Sequence, residues 1–339
     1  MAEITISNDE YGVVFDCVAI HKQPSLDHPL LKDFKMDQLL EPEFGREENK
    51  SKASTMKIES SDEVCPVGTV PIRRIQMEEL LRAGSVSNFL RRGYADSSLH
   101  EYATERLSGG VYLGTKATLN IWQPKVDDDK FQSFSLAQIW LTKGSGEERN
   151  SIEVGWHVYP FWHREKDEPT AVRLFTLWTN NNYKTWHYND DGGFLVKSQT
   201  WSPGMVLPSS NMDGMEELVG VWPANLFTNL ATGGADTLTW GGEVTRRQGG
   251  LFPAMGSGQF SNKDYTKSAY VKRIYLVDAE GTTQVIPDAK DLYISESLPD
   301  CFKVEDKGYD GSEGGYGRHF LYGGPGEESC PVGSSISDA

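Results

Sequence analysis

Two glutamates each stand two positions from a glycine in segments that alternate like β-strands. Glu153 precedes Gly155, and Glu243 follows Gly241. Because the side chains of a strand point alternately to opposite faces, each glutamate shares a face with its glycine. A glycine inside a strand often marks a place that another group approaches closely. The pattern therefore predicts two carboxyl groups on one concave, open surface with aromatic walls.

Two facing carboxyl groups are suited to general acid–base hydrolysis. An ionised carboxylate takes a proton from water, while a protonated carboxyl donates one to the developing oxyanion or the leaving group. Like charges held close together raise the pKa of one partner, so the pair can share a proton. The same pair serves a peptidase or a glycosidase. Spacing alone leaves open the alternative that both glutamates are solvated strand residues.

No other pattern in the sequence points to a different chemistry. The seven histidines show no paired metal-ligand spacing, although His157 shares the face of Glu153. The sequence contains no phosphate-binding loop and no G-x-S-x-G elbow, so we predict neither a metal nor a cofactor. The net charge of -16 argues against sequence-independent nucleic-acid binding. No apolar run approaches the roughly 18 residues of a membrane span.

The elements that would position the glutamates are short strands. The 339 residues suffice for one large domain and a smaller one. From about residue 107, strand-like segments follow one another at regular spacing, separated by Gly, Asn, Asp and Pro. This texture is typical of an antiparallel sandwich or barrel. The predicted strands are residues 117–123, 133–143, 151–159, 171–179, 193–199, 238–244, 269–277 and 292–297.

The first 95 residues differ from the rest, since all nine tryptophans lie between Trp122 and Trp240. Residues 13–20 have strand composition, residues 32–62 are dense in charged residues, and residues 76–83 favour a short helix. A bridge between Cys17 and Cys65 would staple this small region. Four unrelated buried thiols remain the alternative. The N-terminus lacks the regions of a secretory signal, so either the protein is cytosolic or the sequence begins after the signal.

Long motifs extend along almost the whole chain. Two of them, DCVAIHKQPSLDHPLLK at 16–32 and CPVGTVPIRR at 65–74, resemble the activation peptide of the plant neprosin family. The others are similar to its catalytic domain. These are ATLNIWQP at 117–124, FSLAQIW at 134–140, IEVGWHVYP at 152–160, WP at 222–223, GADTLTWGGE at 234–243, MGSG at 255–258 and LYGGPG at 321–326.

The resemblance implies a secreted zymogen, destined for the extracellular space, the apoplast or the vacuole. Its mainly β fold would comprise an activation peptide over residues 1–95 and a catalytic domain over residues 96–339. The catalytic domain would be a curved, jelly-roll-like antiparallel β-sandwich. The implied activity is that of a glutamic endopeptidase that cleaves after proline in acid, with its own propeptide as intramolecular inhibitor. The substrate would be a peptide or protein, with no nucleic-acid or membrane partner. Arg91 and Arg92 are a candidate processing point.

Specific residues follow from the matching motifs. The resemblance implies that Glu153 and Glu243 are the catalytic pair, without deciding which is the acid and which is the base. The remaining implied residues are Gln138, Trp140, Tyr159 and Trp240 as supporting or substrate-binding residues, disulfides Cys17–Cys65 and Cys301–Cys330, and glycosylation at Asn49.

The chain also departs from the family pattern. Residues 206–221 are shorter than the corresponding stretch of the family, which predicts that a strand pair is missing there. A catalytically inactive extracellular binding or structural protein is therefore one alternative function. A carbohydrate-active β-sandwich that uses the same carboxylates is another.

Overall fold

Antiparallel β-strands make up most of the structure, which confirms the predicted β-sandwich class. All strand pairs described below are antiparallel. The computed structural model describes residues 6–8, 14–35, 65–75, 77, 81, 98–126, 133–163, 168–181, 187–188, 194–199, 201–207, 220–247, 249–260, 264–280, 284–285, 289–312 and 315–326.

The elements are short apart from two long strands in the largest sheet. The strands are β1 (Ile6–Asn8), β2 (Val14–Ala19), β3 (Thr69–Arg73), β4 (Ser98–Tyr112), β5 (Gly114–Leu119), β6 (Phe134–Lys143), β7 (Asn150–Val158), β8 (Arg173–Thr179), β9 (His187–Tyr188), β10 (Leu195–Val196), β11 (Gly220–Val221), β12 (Ala235–Arg247), β13 (Ala269–Val277), β14 (Gln284–Val285), β15 (Leu292–Glu296), β16 (Lys303–Asp310) and β17 (Gly317–Gly323). One α-helical turn, α1, spans Pro160–His163, and 3₁₀ turns span Ile20–Lys22, Pro24–Asp27, Pro29–Leu31, Gly146–Glu148, Ala224–Leu226, Leu230–Thr232 and Ala289–Asp291. None of the helices in the described part of the chain is long and apolar enough to cross a membrane.

Two sheets enclose the main core. The large sheet has the order β15-β4-β12-β6-β7-β8-β9, and the second has the order β14-β13-β17-β16 with β5 beside β13. Fully buried side chains from both sheets meet between them, among them Trp240 of the large sheet and Phe320 and Tyr322 of the second. Burial of apolar area of this extent is the main force that holds two such layers together. One face of the large sheet therefore packs into the core, and the other face remains for a site.

Each predicted strand overlaps an observed one, closely for β6, β7, β8, β13 and β15 and only in part for β5, β10 and β12. The two-residue strands β9, β11 and β14 were not predicted. The sequence did not indicate β4, although it is the longest strand. Its core-facing positions include Glu105, which is completely buried and bonded to Arg318 across the two sheets at 3.0 Å. A charged residue at a core position interrupts the apolar alternation by which a half-buried strand is recognised. The Gly- and charge-containing β16 and β17 were missed for a similar reason.

The N-terminal region forms its own small sheet, β1-β2-β3. The predicted Cys17–Cys65 disulfide is confirmed and links the strand β2 to the segment that enters β3. Cys301 is also disulfide-bonded, and its predicted partner Cys330 lies outside the described residues. Asn49, Arg91 and Arg92 also lie outside the described residues. So do most residues of the predicted helix over 76–83 and most residues of the shortened stretch 206–221.

The N-terminal region docks onto the separate two-stranded sheet of β10 and β11 and onto β8 of the large sheet. Gln23 is buried and reaches Val196 of β10 by two hydrogen bonds, since its Nε2 donates to the carbonyl oxygen at 2.9 Å and its Oε1 accepts from the amide at 2.8 Å. Leu31 is 2% exposed and packs against Trp178, Leu226 and Phe227. The N-terminal region is therefore held by two hydrogen bonds to the backbone of Val196 and by the buried side chain of Leu31, which we call the apolar plug.

Candidate active site

Three central strands of the large sheet place the two glutamates and one glutamine on the face turned away from the core. In the register, Gln138 of β6 lies between Gly155 of β7 and Gly241 of β12. Glu153 lies two residues before the first glycine, and Glu243 lies two residues after the second. The period of two puts all of these residues on one face. The glutamates therefore approach Gln138 from diagonally opposite positions.

The two glycines allow the three strands to come together at this point. A Cβ atom at Gly155 would overlap the carbonyl oxygen of Ala137, and a Cβ atom at Gly241 would overlap the carbonyl oxygen of Ala103. Gly241 also has a φ of +138°, which side chains other than glycine rarely allow. Only glycine fits at either position, so the site depends on both residues.

A single amide nitrogen reaches both carboxylates. Gln138 Nε2 donates to Glu153 Oε2 at 3.1 Å and lies 3.5 Å from Glu243 Oε2. The hydroxyl of Ser151 donates to Glu153 Oε1 at 2.7 Å. The two glutamates are 5% and 6% exposed. In such surroundings hydrogen bonds and charges are stronger than in water, so the mutual position of the carboxyl groups is well defined.

The amide oxygen of Gln138 has no partner among the described residues. This Oε1 atom is buried, and within the described residues no donor reaches it. A buried acceptor without a partner costs about 1–3 kcal/mol, and functional sites are one of the places where such a cost is tolerated. A bound water or a peptide N–H of a substrate would satisfy it.

Glu243 has a second partner on the neighbouring strand. His100 of β4 lies diagonally across from it, and its Nδ1 is 2.5 Å from Glu243 Oε1. Burial lowers the pKa of His100, but the hydrogen bond and the charge of Glu243, with smaller effects of Glu153 and Glu101, outweigh burial and raise the pKa above its ordinary value.

Aromatic side chains surround the carboxyl groups, as the sequence predicted. Trp140 stands opposite Glu153 in the register of β6 and β7, and Tyr159 lies at the far end of β7. Both belong to a buried cluster on this face of the sheet. Burial raises the pKa of the Tyr159 phenol, so this hydroxyl stays neutral. The other members of the cluster are Phe134, Leu136, Trp162, Phe175 and Leu177, with Tyr102 and Phe161 packed against it.

Trp240 lies on the opposite side of the sheet, so its predicted role in substrate binding is wrong. It is three residues from Glu243 and therefore points to the other face. Its side chain is completely buried in the core between the sheets, where the indole Nε1 donates to Thr115 Oγ1 at 3.2 Å. Trp240 supports β12 from behind and cannot contact a substrate at the carboxylates.

His157 shares the face of Glu153 but is a packing residue. Its ring stacks on Phe175 at 4.8 Å, and its Nε2 lies 3.1 Å from Nε2 of His163. Burial, helped by the charge of Arg173, lowers its pKa to about 3. In the described part of the chain, no three His, Cys, Asp or Glu side chains form a group that could hold a metal ion.

Sequence reasoning missed two residues of the site, Ser151 and His100. Ser151 stands two positions before Glu153 in the same strand, so the period of two already places it on the same face. His100 had no such signal, because the strand β4 itself was not recognised. The register between β4 and β12 was needed to bring it next to Glu243.

Comparison with family models gives two matches. A model described as Neprosin matches residues 131–216 and 210–325. A model described as Neprosin activation peptide matches residues 6–108. The first match contains Gln138 and both glutamates, and covers more than half of the chain. The second contains the disulfide-linked N-terminal sheet and extends into β4.

Proposed function

The chain belongs to the neprosin family, and from that premise we propose that it is the zymogen of a glutamic endopeptidase. The match to the activation peptide supports the proposal that the chain is a zymogen. The observation that carries the chemistry is the amide of Gln138, which reaches Glu153 at 3.1 Å and Glu243 at 3.5 Å. Two carboxyl groups held this close on a buried face are suited to activating one water molecule.

In the proposed reaction the two carboxyl groups share one proton. The ionised member takes a proton from the water while the water oxygen bonds to the carbonyl carbon of the peptide. The protonated member gives its proton to the carbonyl oxygen, which forms a neutral tetrahedral intermediate. The intermediate then collapses: the carboxyl group that took the proton of water passes it to the amide nitrogen, and the C–N bond breaks. One hydroxyl proton of the intermediate returns to the ionised carboxylate, and the acid and the amine leave. Gln138 keeps both carboxyl groups in position throughout.

We propose that the N-terminal region keeps the peptidase inactive until it is removed. Its buried Gln23 pairs with the backbone of Val196, and its Leu31 fills a pocket beside Trp178. These contacts support a propeptide that is held in cis by the domain it inhibits. We propose removal of about residues 1–95, with Arg91 and Arg92 as the processing point. Activity in acid and cleavage after proline are proposed from the family resemblance.

Secretion is proposed on the basis of cysteine usage. The Cys17–Cys65 bridge and the disulfide-bonded Cys301 are features of proteins that mature in an oxidising compartment. Asn49 lies in an Asn-Lys-Ser sequence, so we expect glycosylation there when the chain is expressed behind a secretory signal. A shift in mass after treatment with a glycosidase, absent in Asn49→Gln, would show it.

The central experiment compares three glutamine substitutions in acid-treated protein. The full chain, Glu153→Gln, Glu243→Gln and the control Glu280→Gln, an exposed surface position, are incubated at about pH 3 and at neutral pH with a proline-containing peptide. We expect cleavage after proline in acid, a loss of about 10²-fold to 10⁴-fold in both site variants, and full activity in the control.

The same experiment separates the alternative functions. If the mature forms cleave no peptide at either pH, the chain is an inactive family member that binds or supports another molecule. If they hydrolyse a polysaccharide instead, and both site variants lose that activity, the carboxylates serve a glycosidase. Cleavage that survives in both variants contradicts the glutamate pair.

A further inference from the structure

His100 gives one of the two carboxylates a partner that can carry a positive charge. It lies near the start of β4, opposite Thr245 of β12 and diagonal to Glu243. Its Nδ1 atom lies 2.5 Å from Glu243 Oε1, while the other carboxylate oxygen of Glu243 faces Gln138. Both oxygens of Glu243 are therefore engaged, and their positions are set by two different strands.

The surroundings of His100 favour the imidazolium. Within the described part of the chain, three carboxylates raise its pKa, namely Glu243 on β12, Glu153 on β7 and Glu101 on its own strand. Aromatic rings pack beside it: Tyr102 is stacked at 6.4 Å and Phe134 meets it edge-on at 6.0 Å. The rings leave the side chain of His100 28% exposed and that of Glu243 8% exposed. A proton from solvent can reach the imidazole, whereas the charge pair itself is largely shielded.

We propose that His100 is a positioning residue of the active site, whose imidazolium pairs with the Glu243 carboxylate and orients it towards the attacking water. This inference rests on the proposed peptidase function. Because the pair shares one proton, an ionised Glu243 leaves that proton on Glu153. Glu243 is then the general base that takes the proton of water, and Glu153 is the acid that protonates the carbonyl oxygen.

The inference has a direct consequence in acid. A carboxylate must stay ionised to act as a base, and acid works against this. An opposite charge in hydrogen-bond contact favours the ionised form of a carboxylate. His100 is itself protonated in acid, so the ion pair is intact where a peptidase of this kind would work.

The test uses two substitutions at His100 and a matched histidine elsewhere. His100→Asn retains a donor near the position of Nδ1 but has no charge, whereas His100→Phe removes both. The control is His319→Asn, because His319 lies on β17 in the second sheet and bonds to Tyr265. All forms are matured by the same treatment, conversion is checked by gel electrophoresis, and kcat and KM are measured against pH.

We expect the acid limb of the kcat/KM profile to move towards neutral pH by about one unit or more in His100→Asn, with KM unchanged. Below that limb the activity should fall about tenfold for each unit of the shift. His100→Phe should show the same shift and a lower plateau, and the control should match the wild type. A uniform loss without a shift would mean that His100 only supports the fold and would overturn the proposal. A shift of the alkaline limb alone would reverse the two roles and overturn it as well.

A second measurement is independent of catalysis. In the full, uncleaved chain, the titration of His100 is followed by NMR, with His100→Asn to identify its signal. We expect a pKa above the ordinary value in the wild type and a lower one in Glu243→Gln. An unchanged titration in Glu243→Gln would refute the ion pair while leaving the proposed peptidase function intact. Conversely, full activity of Glu243→Gln would refute the proposed function itself.

Discussion

The ring of His28 meets that of Trp178 edge-on, with 5.6 Å between their centroids. The N-terminal region thereby contacts the large sheet on β8, one strand from Glu153. In the register Trp178 pairs with Ile152, so it lies on the face opposite to the carboxylates. The anchor of the N-terminal region and the candidate active site therefore occupy two sides of the same strands.

Truncation of the apolar plug should weaken this anchor. We expect Leu31→Ala to cost about 2–5 kcal/mol of docking free energy, because it empties a pocket in which the side chain is 2% exposed. Processing in acid should be faster, and the melting temperature of the full chain should fall. The neighbouring Leu30, 47% exposed, provides the control Leu30→Ala, for which neither quantity should change. Equal rates for both variants, followed by gel electrophoresis, would show that the pocket does not hold the N-terminal region.

The docking contact should also depend on pH through a pair of histidines. His187 stacks on Trp178 at 3.8 Å and faces His28 at 5.6 Å. Burial, and the proximity of His28, lower the pKa of His187 to about 4, and burial lowers that of His28. Since the docked histidines resist protonation, their contribution is fully present above the ordinary pKa of 6.5 and is lost as the pH falls towards about 4.

Removal of the titrating group should therefore delay processing to lower pH. His187→Phe retains an aromatic ring on Trp178 but cannot be protonated, so we expect processing near pH 4 to be about tenfold slower or more. The exposed His21 gives the control His21→Phe. The measurement is the rate of conversion against pH. Superimposable curves for His187→Phe and the wild type would contradict a role of this histidine.

Gln138 should be needed for activity more than for stability. We expect Gln138→Leu to lower kcat by about 10²-fold to 10³-fold, because the amide that positions both carboxyl groups is lost. The melting temperature should not fall, since the substitution also removes a buried oxygen that has no partner among the described residues. Gln259→Leu, at an exposed position, is the control for the change of side chain. A large drop in melting temperature in Gln138→Leu would instead indicate a structural role.

The buried pair of Glu105 and Arg318 should be sensitive to the loss of one partner. Arg318 bonds to Glu105 at 3.0 Å and also to Asp306. We expect Arg318→Met to destabilise the protein by about 3–5 kcal/mol at a pH above about 8, where Glu105 is ionised and loses its cation in the core. The loss should be smaller at neutral and acid pH, since burial raises the pKa of Glu105 to about 8 and protonation removes the charge.

Chemical denaturation at two pH values measures this difference. Lys267→Met removes the cation of the exposed pair Lys267–Asp264 and serves as the control, for which we expect little change at either pH. A destabilisation of Arg318→Met that is the same at both pH values would contradict the explanation by an uncompensated carboxylate.

The sequence was most informative where one face of a strand is apolar and the other carries the chemistry. In β7 and β12 the period of two was enough to put Glu153 and Glu243 with their glycines on one face. The order of strands is set by pairings between distant segments, so the diagonal meeting of both glutamates at Gln138 was beyond a local pattern. Trp240 was named from the family motif, but it lies three positions from Glu243, and this odd spacing puts it on the other face of β12.

The same limit explains why His100 was missed. Its strand has a buried ion pair at a core position, and the compensating Arg318 lies far along the chain. Local alternation carries no information about a partner so distant in sequence. Only the folded structure shows that Glu105 of this strand is paired with Arg318.

The bridge between Cys17 and Cys65 makes the N-terminal region a clasp that no single cut between these two residues can open. A cut anywhere between these residues leaves two pieces that remain covalently joined. One piece carries Gln23 with its hydrogen bonds to Val196, and the amide of Cys65 on the other bonds to the carbonyl oxygen of Gln199 at 3.0 Å. Each piece keeps the other at a high effective concentration, so a nicked clasp rebinds faster than it diffuses away. Complete release then needs a cut C-terminal to β3, together with simultaneous loss of the contacts that Gln23 and Cys65 make.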